Sequence, residues 1–148
     1  MEIAQFWQAF LEQTERSTDT AYLECFHFDN NERSANELLA LVLSGKKRAT
    51  ASSLYAYPEG EHPKPGNLSI VTDWDGNPRC VIETRNVQIL PFREMTFEIC
   101  SREGEDECLE TWQAGHKRFF TQDGEEMGYL FSEDMPVVFE DFEVVYTR

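Results

Sequence analysis

Gly45 fixes where the most hydrophobic helix of this chain has to stop. Upstream of it, Ser34-Ala35-Asn36-Glu37 has the form of a capping box. The serine hydroxyl accepts from an N–H one turn in, and the glutamate reaches back. Leu38, Leu39, Leu41, Val42 and Leu43 follow, apolar over much of a helical circumference, so the spacing predicts a largely buried helix. A glycine at its end takes a positive φ at no steric cost and terminates it. The chain then emerges as Lys46-Lys47-Arg48, followed by Ala49-Thr50-Ala51-Ser52-Ser53. Two readings of the three cations stand side by side. Cations beside the free carbonyls of a helix end gain roughly 0.3–1 kcal/mol each, which requires no function. The same residues, running into hydroxyls, can instead build a polar site.

The remaining periodicities place other elements around that helix. Ile3, Phe6, Trp7, Phe10 and Leu11 form one stripe of an amphipathic helix over 2–15. Residues 22–28 are of undetermined structure, and Asp29-Asn30-Asn31 reads as a turn. From Tyr55 to Gly66, three prolines and two glycines predict a loop long enough to act as a binding loop or lid. Leu68, Ile70, Thr72 and Trp74 alternate as a strand, Asp75–Pro78 turns, and Cys80–Thr84 starts the return, continued by Val87–Leu90. Pro91–Cys100 fits a short helix. A second long helix places Leu109, Trp112, His116 and Phe119/Phe120 on one side, and Val137–Phe139 and Val144–Tyr146 read as strand. This order predicts an α+β fold with a mostly antiparallel sheet or small barrel, as a single domain over 1–148.

Charge narrows the partners. With 28 acidic residues against 13 basic ones, the net charge is -15, which opposes long-range attraction to a polyanion. Any RNA contact is therefore expected to be short, confined to the basic patch and salt-sensitive. The four cysteines form no Cys-x-x-Cys pair, so no metal and no cofactor are expected. No apolar run is long enough for a membrane helix, and the amino end has no basic leader, so no membrane partner and a cytoplasmic location are expected. Oligomeric state is left open.

Gly45, Lys47 and Thr50 spell Gly-x-Lys-x-x-Thr after a short helix. Lys64-Pro65-Gly66, Glu103-Gly104-Glu105, and Trp112 with His116 follow in order. This set resembles the ASCH family of the PUA-like superfamily, over about 26–146, with the 2–15 helix packed on that core. The resemblance implies a small β-barrel of mostly antiparallel strands flanked by helices, with a cleft against the motif. It implies binding of RNA or of a small nucleoside or nucleotide. Its alternatives are an amidohydrolase acting on N4-acetylcytidine-type nucleosides and a ribonuclease; a non-catalytic interaction protein is the third. Catalytic residues carried over from the resemblance are Lys47, Thr50 and either Glu103 or Glu105.

The residues themselves set conditions on that chemistry. Thr50 can attack an amide if Lys47 is neutral and within reach; a neighbouring carboxylate works against this. A turn at Arg48-Ala49 is needed to bring the two together. Without chemistry, Lys46, Lys47 and Arg48, with Lys64 nearby in sequence, offer charge for phosphates. Ser52 offers a hydroxyl, and Tyr55, Tyr57 or Trp74 a stacking face. Trp74, Trp112 and His116 also suit an ordinary core, and Glu103 and Glu105 a solvated helix entry. Lys47→Ala is expected to abolish ligand binding with little change in melting temperature.

Overall fold

A five-stranded sheet carries the chain, and its two long central strands determine the shape. In the computed structural model, which describes residues 1–148, the strands are β1 (Glu24–Phe26), β2 (Ala49–Ser53), β3 (Leu68–Thr72), β4 (Pro78–Pro91) and β5 (Pro136–Thr147). Their order across the sheet is β1-β3-β4-β5-β2. All neighbours pair antiparallel except β1 with β3. Register shifts between Val81 and Ile82, and between Thr84 and Asn86, interrupt the β4–β5 ladder. Such bulges add local bend and twist. The sheet curls into a half-barrel whose edge strands, β1 and β2, do not pair. The expected α+β architecture and small antiparallel barrel are thus present, with the barrel left open.

Four helices cover the sheet: α1 (Ile3–Gln13), α2 (Glu32–Leu43), α3 (Phe97–Cys100) and α4 (Leu109–Met127). None is long and apolar enough to cross a membrane. On one face, Phe6, Phe10 and Leu11 of α1 bury Leu68, Ile70, Val81 and Tyr146. Further along that face, Trp112 and Phe120 of α4 pack with Phe92, Met135, Val137 and Phe139. On the opposite face, Leu39 and Val42 of α2 close over Val71, Cys80, Ile82 and Phe142. Both sides are therefore covered, and every residue of β3 is buried.

Several local expectations are corrected. The N-cap of α2 is Asn31, whose extended backbone frees its side chain to accept from the Ser34 N–H at 2.9 Å. Ser34 thus lies inside the helix, and Glu37 pairs with Arg33 instead of reaching back. Only one side of α2 is buried, and Leu43 is exposed. Gly45 does terminate the helix, with φ +83. The Gly45 and Lys46 N–H groups bond the carbonyls of Val42 and Leu41, both at 3.0 Å, a Schellman ending. Trp74 falls beyond β3, in the turn, with its ring tilted 55° against that of His27 at 4.8 Å. The 91–100 segment is a 3-10 turn (Phe92–Glu94) and the single-turn α3.

Candidate functional site

The Schellman ending turns the chain so that Lys47 points inward, and only 2% of the residue is exposed. Its Nζ donates to Ala49 O at 2.8 Å and contacts Glu103 Oε1 at 3.4 Å and Glu105 Oε2 at 2.5 Å. It also lies 5.3 Å from the centre of the Phe28 ring. An ammonium has three donors, and these three acceptors engage them all. The turn expected at Arg48-Ala49 is absent: the chain turns earlier, at Ser44–Gly45, and Ala49 already begins β2. Lys47 and Thr50 still border one cleft, with carboxylates at the amine. Lys47 is consequently the cation of an ion pair.

Glu103 closes a 3-10 turn (Ser101–Glu103), and its carboxylate is enclosed by donors. Besides Lys47, it accepts from Trp112 Nε1 and lies 3.3 Å from His116 Nε2. Burial opposes its charge, but the charges of Lys47 and His116, with hydrogen bonds from His116 and Trp112, outweigh this. The carboxyl is held well below its ordinary range. His116 stacks on Trp112 at 4.1 Å, and its Nδ1 lies 3.0 Å from Trp112 O. Both ring nitrogens therefore face acceptors, as an imidazolium requires. Burial lowers the histidine's pKa, but Glu103 more than offsets it, so the net shift is upward. Glu105 behaves differently: burial, with Glu103 adding to it against the pull of Lys47, pushes its carboxyl up. One carboxyl is fixed as an anion while its neighbour is biased toward the acid, a separation suited to proton transfer.

Gly104 holds this pair in place. Its φ is +72, and a Cβ there would overlap the carbonyl of Lys46. The Arg48 N–H bonds Arg102 O at 3.0 Å beside this contact. Gly104→Ala should cost at least about 1–3 kcal/mol of backbone strain and separate both glutamates from Lys47. A chemical denaturation curve measures the first effect and ligand titration the second.

The cluster forms the wall of a cleft of about 580 Å³, within the usual range for small-ligand sites. Phe28, Asn30 and Asn31 border it on the β1 side, Thr50 and Ala51 of β2 on the other, and His116, Arg118 and Phe119 of α4 across it. The cleft thus occupies the unclosed seam between the two edge strands. Of the residues singled out in the sequence, Lys47, Thr50, Glu103, Glu105 and His116 are brought together here.

The others are not among the lining residues. Lys46 and Arg48 are exposed and join the site only through their backbones. Ser52 bonds the Tyr57 hydroxyl at 3.1 Å, on the same face of β2 as Thr50. Tyr55 is exposed. The Lys64 ammonium folds onto the Gly60 and His62 carbonyls of its own loop, and Trp74 lies in the β3–β4 turn. No residue of the 55–66 loop lines the cleft, which leaves the lid reading without support.

Sequence reasoning missed Phe28, Asp106, Arg118 and Phe119, which carry no local signal. It also missed Glu140, buried on β5 and bonded to Thr84 Oγ1 at 2.8 Å. An acid at an inward position of an otherwise apolar strand was the available clue. The lining includes five acidic side chains (Asp29, Glu37, Glu103, Glu105, Asp106) against Lys47, Arg118 and His116.

A family model of the ASCH domain matches residues 24–146. The crystal structure of protein EF3133 from Enterococcus faecalis V583 is 33% identical, covering 99% of this chain and 95% of that one, at a TM-score of 0.86. An ASCH domain from Lactobacillus crispatus JV V101 is 37% identical, covering 99% and 96%, at 0.82. A hypothetical protein, PH0355, shares the fold at 17% identity, with 82% and 97% covered and a TM-score of 0.53. No curated protein matches the chain.

Proposed function

The chain belongs to the ASCH domain family, and on that premise we propose that its cleft binds one nucleobase-bearing unit: a modified nucleoside, free or presented by single-stranded RNA. RNA is the partner with which the family is generally associated. The observation that carries the reading is the buried Lys47 tied to Glu103 and Glu105 in the wall of the cleft. Burying an ion pair is a poor way to gain stability, because desolvation offsets the attraction. Perturbed carboxyls gathered in a cleft are instead the mark of a site.

The charge of the lining selects the part of the ligand. Acidic groups outnumber cations, and Lys46, Arg48 and Lys64 lie outside it, so a phosphate chain gains little there. An uncharged base and sugar suit it better, with Phe28 and Phe119 as apolar walls. Cytidine, N4-acetylcytidine and a short single-stranded RNA, titrated calorimetrically, test this. Nucleoside binding should weaken at least tenfold in Thr50→Val, with a logarithmic salt slope of about one or less. A steep slope for RNA, with no nucleoside binding, would place the interaction on the outer cations and overturn the reading.

A second reading, hydrolysis of an N-acyl group from that base, is supported by Glu105. Burial pushes its carboxyl up from the ordinary range, and it stays partly accessible and shares the cleft with the Thr50 hydroxyl. Release of acetate from N4-acetylcytidine, followed by chromatography, separates catalyst from binding module.

A further inference from the structure

In the hydrolytic reading, on which this inference rests, Thr50 needs a group to take its proton, and Lys47 is already committed to three acceptors. The residue facing Thr50 is Glu140, its direct partner in the β2–β5 ladder. Cross-strand partners hold their Cβ atoms about 4.5–5.5 Å apart on one face of a sheet. Thr84, on the same face, bonds only Oε2 of Glu140. Glu140 is 6% exposed and forms none of the chain's ion pairs.

We propose that Glu140 is the proton acceptor for Thr50: Oε1 takes the hydroxyl hydrogen, aims the Thr50 oxygen into the cleft, and receives that proton when Oγ1 attacks an acyl carbon. The Thr50 O–H bond breaks as the Oγ1–C bond forms. The C–N bond then breaks, and the departing amine takes the proton of Glu105. Water next gives a proton to Glu105 and its oxygen to the acyl carbon. The threonyl C–O bond breaks, and Glu140 returns its proton to Thr50.

The surroundings suit a base working near neutrality. Burial, with the charge of Glu24 adding and the Thr84 bond and Lys47 opposing, lifts the Glu140 carboxyl to about 7. Facing it are Glu24 from β1, Lys47 from the turn after α2, and the Tyr57 hydroxyl held by Ser52. The most effective general base titrates near the working pH.

Two measurements test the assignment. In the first, acetate release from N4-acetylcytidine and nucleoside affinity are followed from pH 5 to 9 for the wild type and Glu140→Gln. Glutamine should keep affinity within about threefold, lower turnover at least ~100-fold, and abolish the rise of activity around pH 7. Unchanged turnover and pH profile, or turnover and affinity falling together, would overturn the assignment. In the second, the Glu140 carboxyl carbon is titrated by NMR in the wild type and in Thr50→Val. Loss of a donor to the ionised carboxyl should raise its midpoint; an unmoved midpoint overturns the proposal. This second readout needs no turnover. A wild type that releases no acetate while the midpoint still shifts refutes only the hydrolytic reading and leaves the Thr50–Glu140 bond supported.

Discussion

Replacing Lys47 by alanine is expected to lower folding stability by about 3–5 kcal/mol, the cost of leaving a buried partner charge uncompensated. The partner is Glu103, 2% exposed. For a chain of this size the melting temperature should fall by about 10 °C or more. This reverses what the sequence suggested, namely a silent structural change with loss of ligand. A lysine in a run of three cations looks like a surface residue, whereas the Schellman turn aims this one inward. Lys47→Met combined with Glu103→Gln, which removes both charges at similar volume, should recover at least half of the loss. Urea denaturation of the three proteins decides the matter. A single variant within ~1 kcal/mol of the wild type would mean that the ion pair contributes nothing to the fold.

Glu140 should make the protein less stable as pH rises through neutrality. Its carboxyl is lifted from the ordinary 4.5 to about 7 in the folded state. Below pH 4.5 it is neutral folded and unfolded, and the burial penalty is absent. Between 4.5 and 7 the unfolded chain ionises while the folded chain keeps its proton, so stability falls. Above 7 both are ionised and the full difference, about 3 kcal/mol at most, opposes folding. Glu140→Gln has no such proton to lose. The unfolding free energy of wild type minus glutamine variant should therefore become steadily more negative from pH 5 to 8. A pH-independent difference would show that the carboxyl does not feel its burial.

The sequence was legible where periodicity or backbone chemistry spoke. The stripe on α1, the stop at Gly45 and the Leu109–Phe120 face reach the structure as read, and the turn read at 75–78 lies slightly earlier, with Pro78 already in β4. β2 was opaque because Ala49–Ser53 is made of small and hydroxyl residues whose pairing with β5 alone makes it a strand. β1 was opaque because three residues pairing in parallel leave no alternation to see. At the site, Gly45, Lys47, Thr50 and the Glu103–Glu105 segment were legible as a family pattern. The engagement of every Lys47 donor was not. That depends on Gly104 meeting the backbone of Lys46, a contact between segments nearly 60 residues apart. The aromatics proposed as stacking platforms lie outside the cleft lining for a related reason. Tyr57 and Trp74 are claimed by Ser52 and His27, partners that no local pattern announces.

The leading helix also bears on how this protein can be handled. Phe6, Phe10 and Leu11 shield Leu68, Ile70, Val81 and Tyr146, and although the two crystal relatives span 99% of the chain, the family model's match begins only at residue 24. A version trimmed to that region would carry a greasy flank into solvent and self-associate. For this chain, the stretch the family model matches is shorter than the whole that its crystal relatives share.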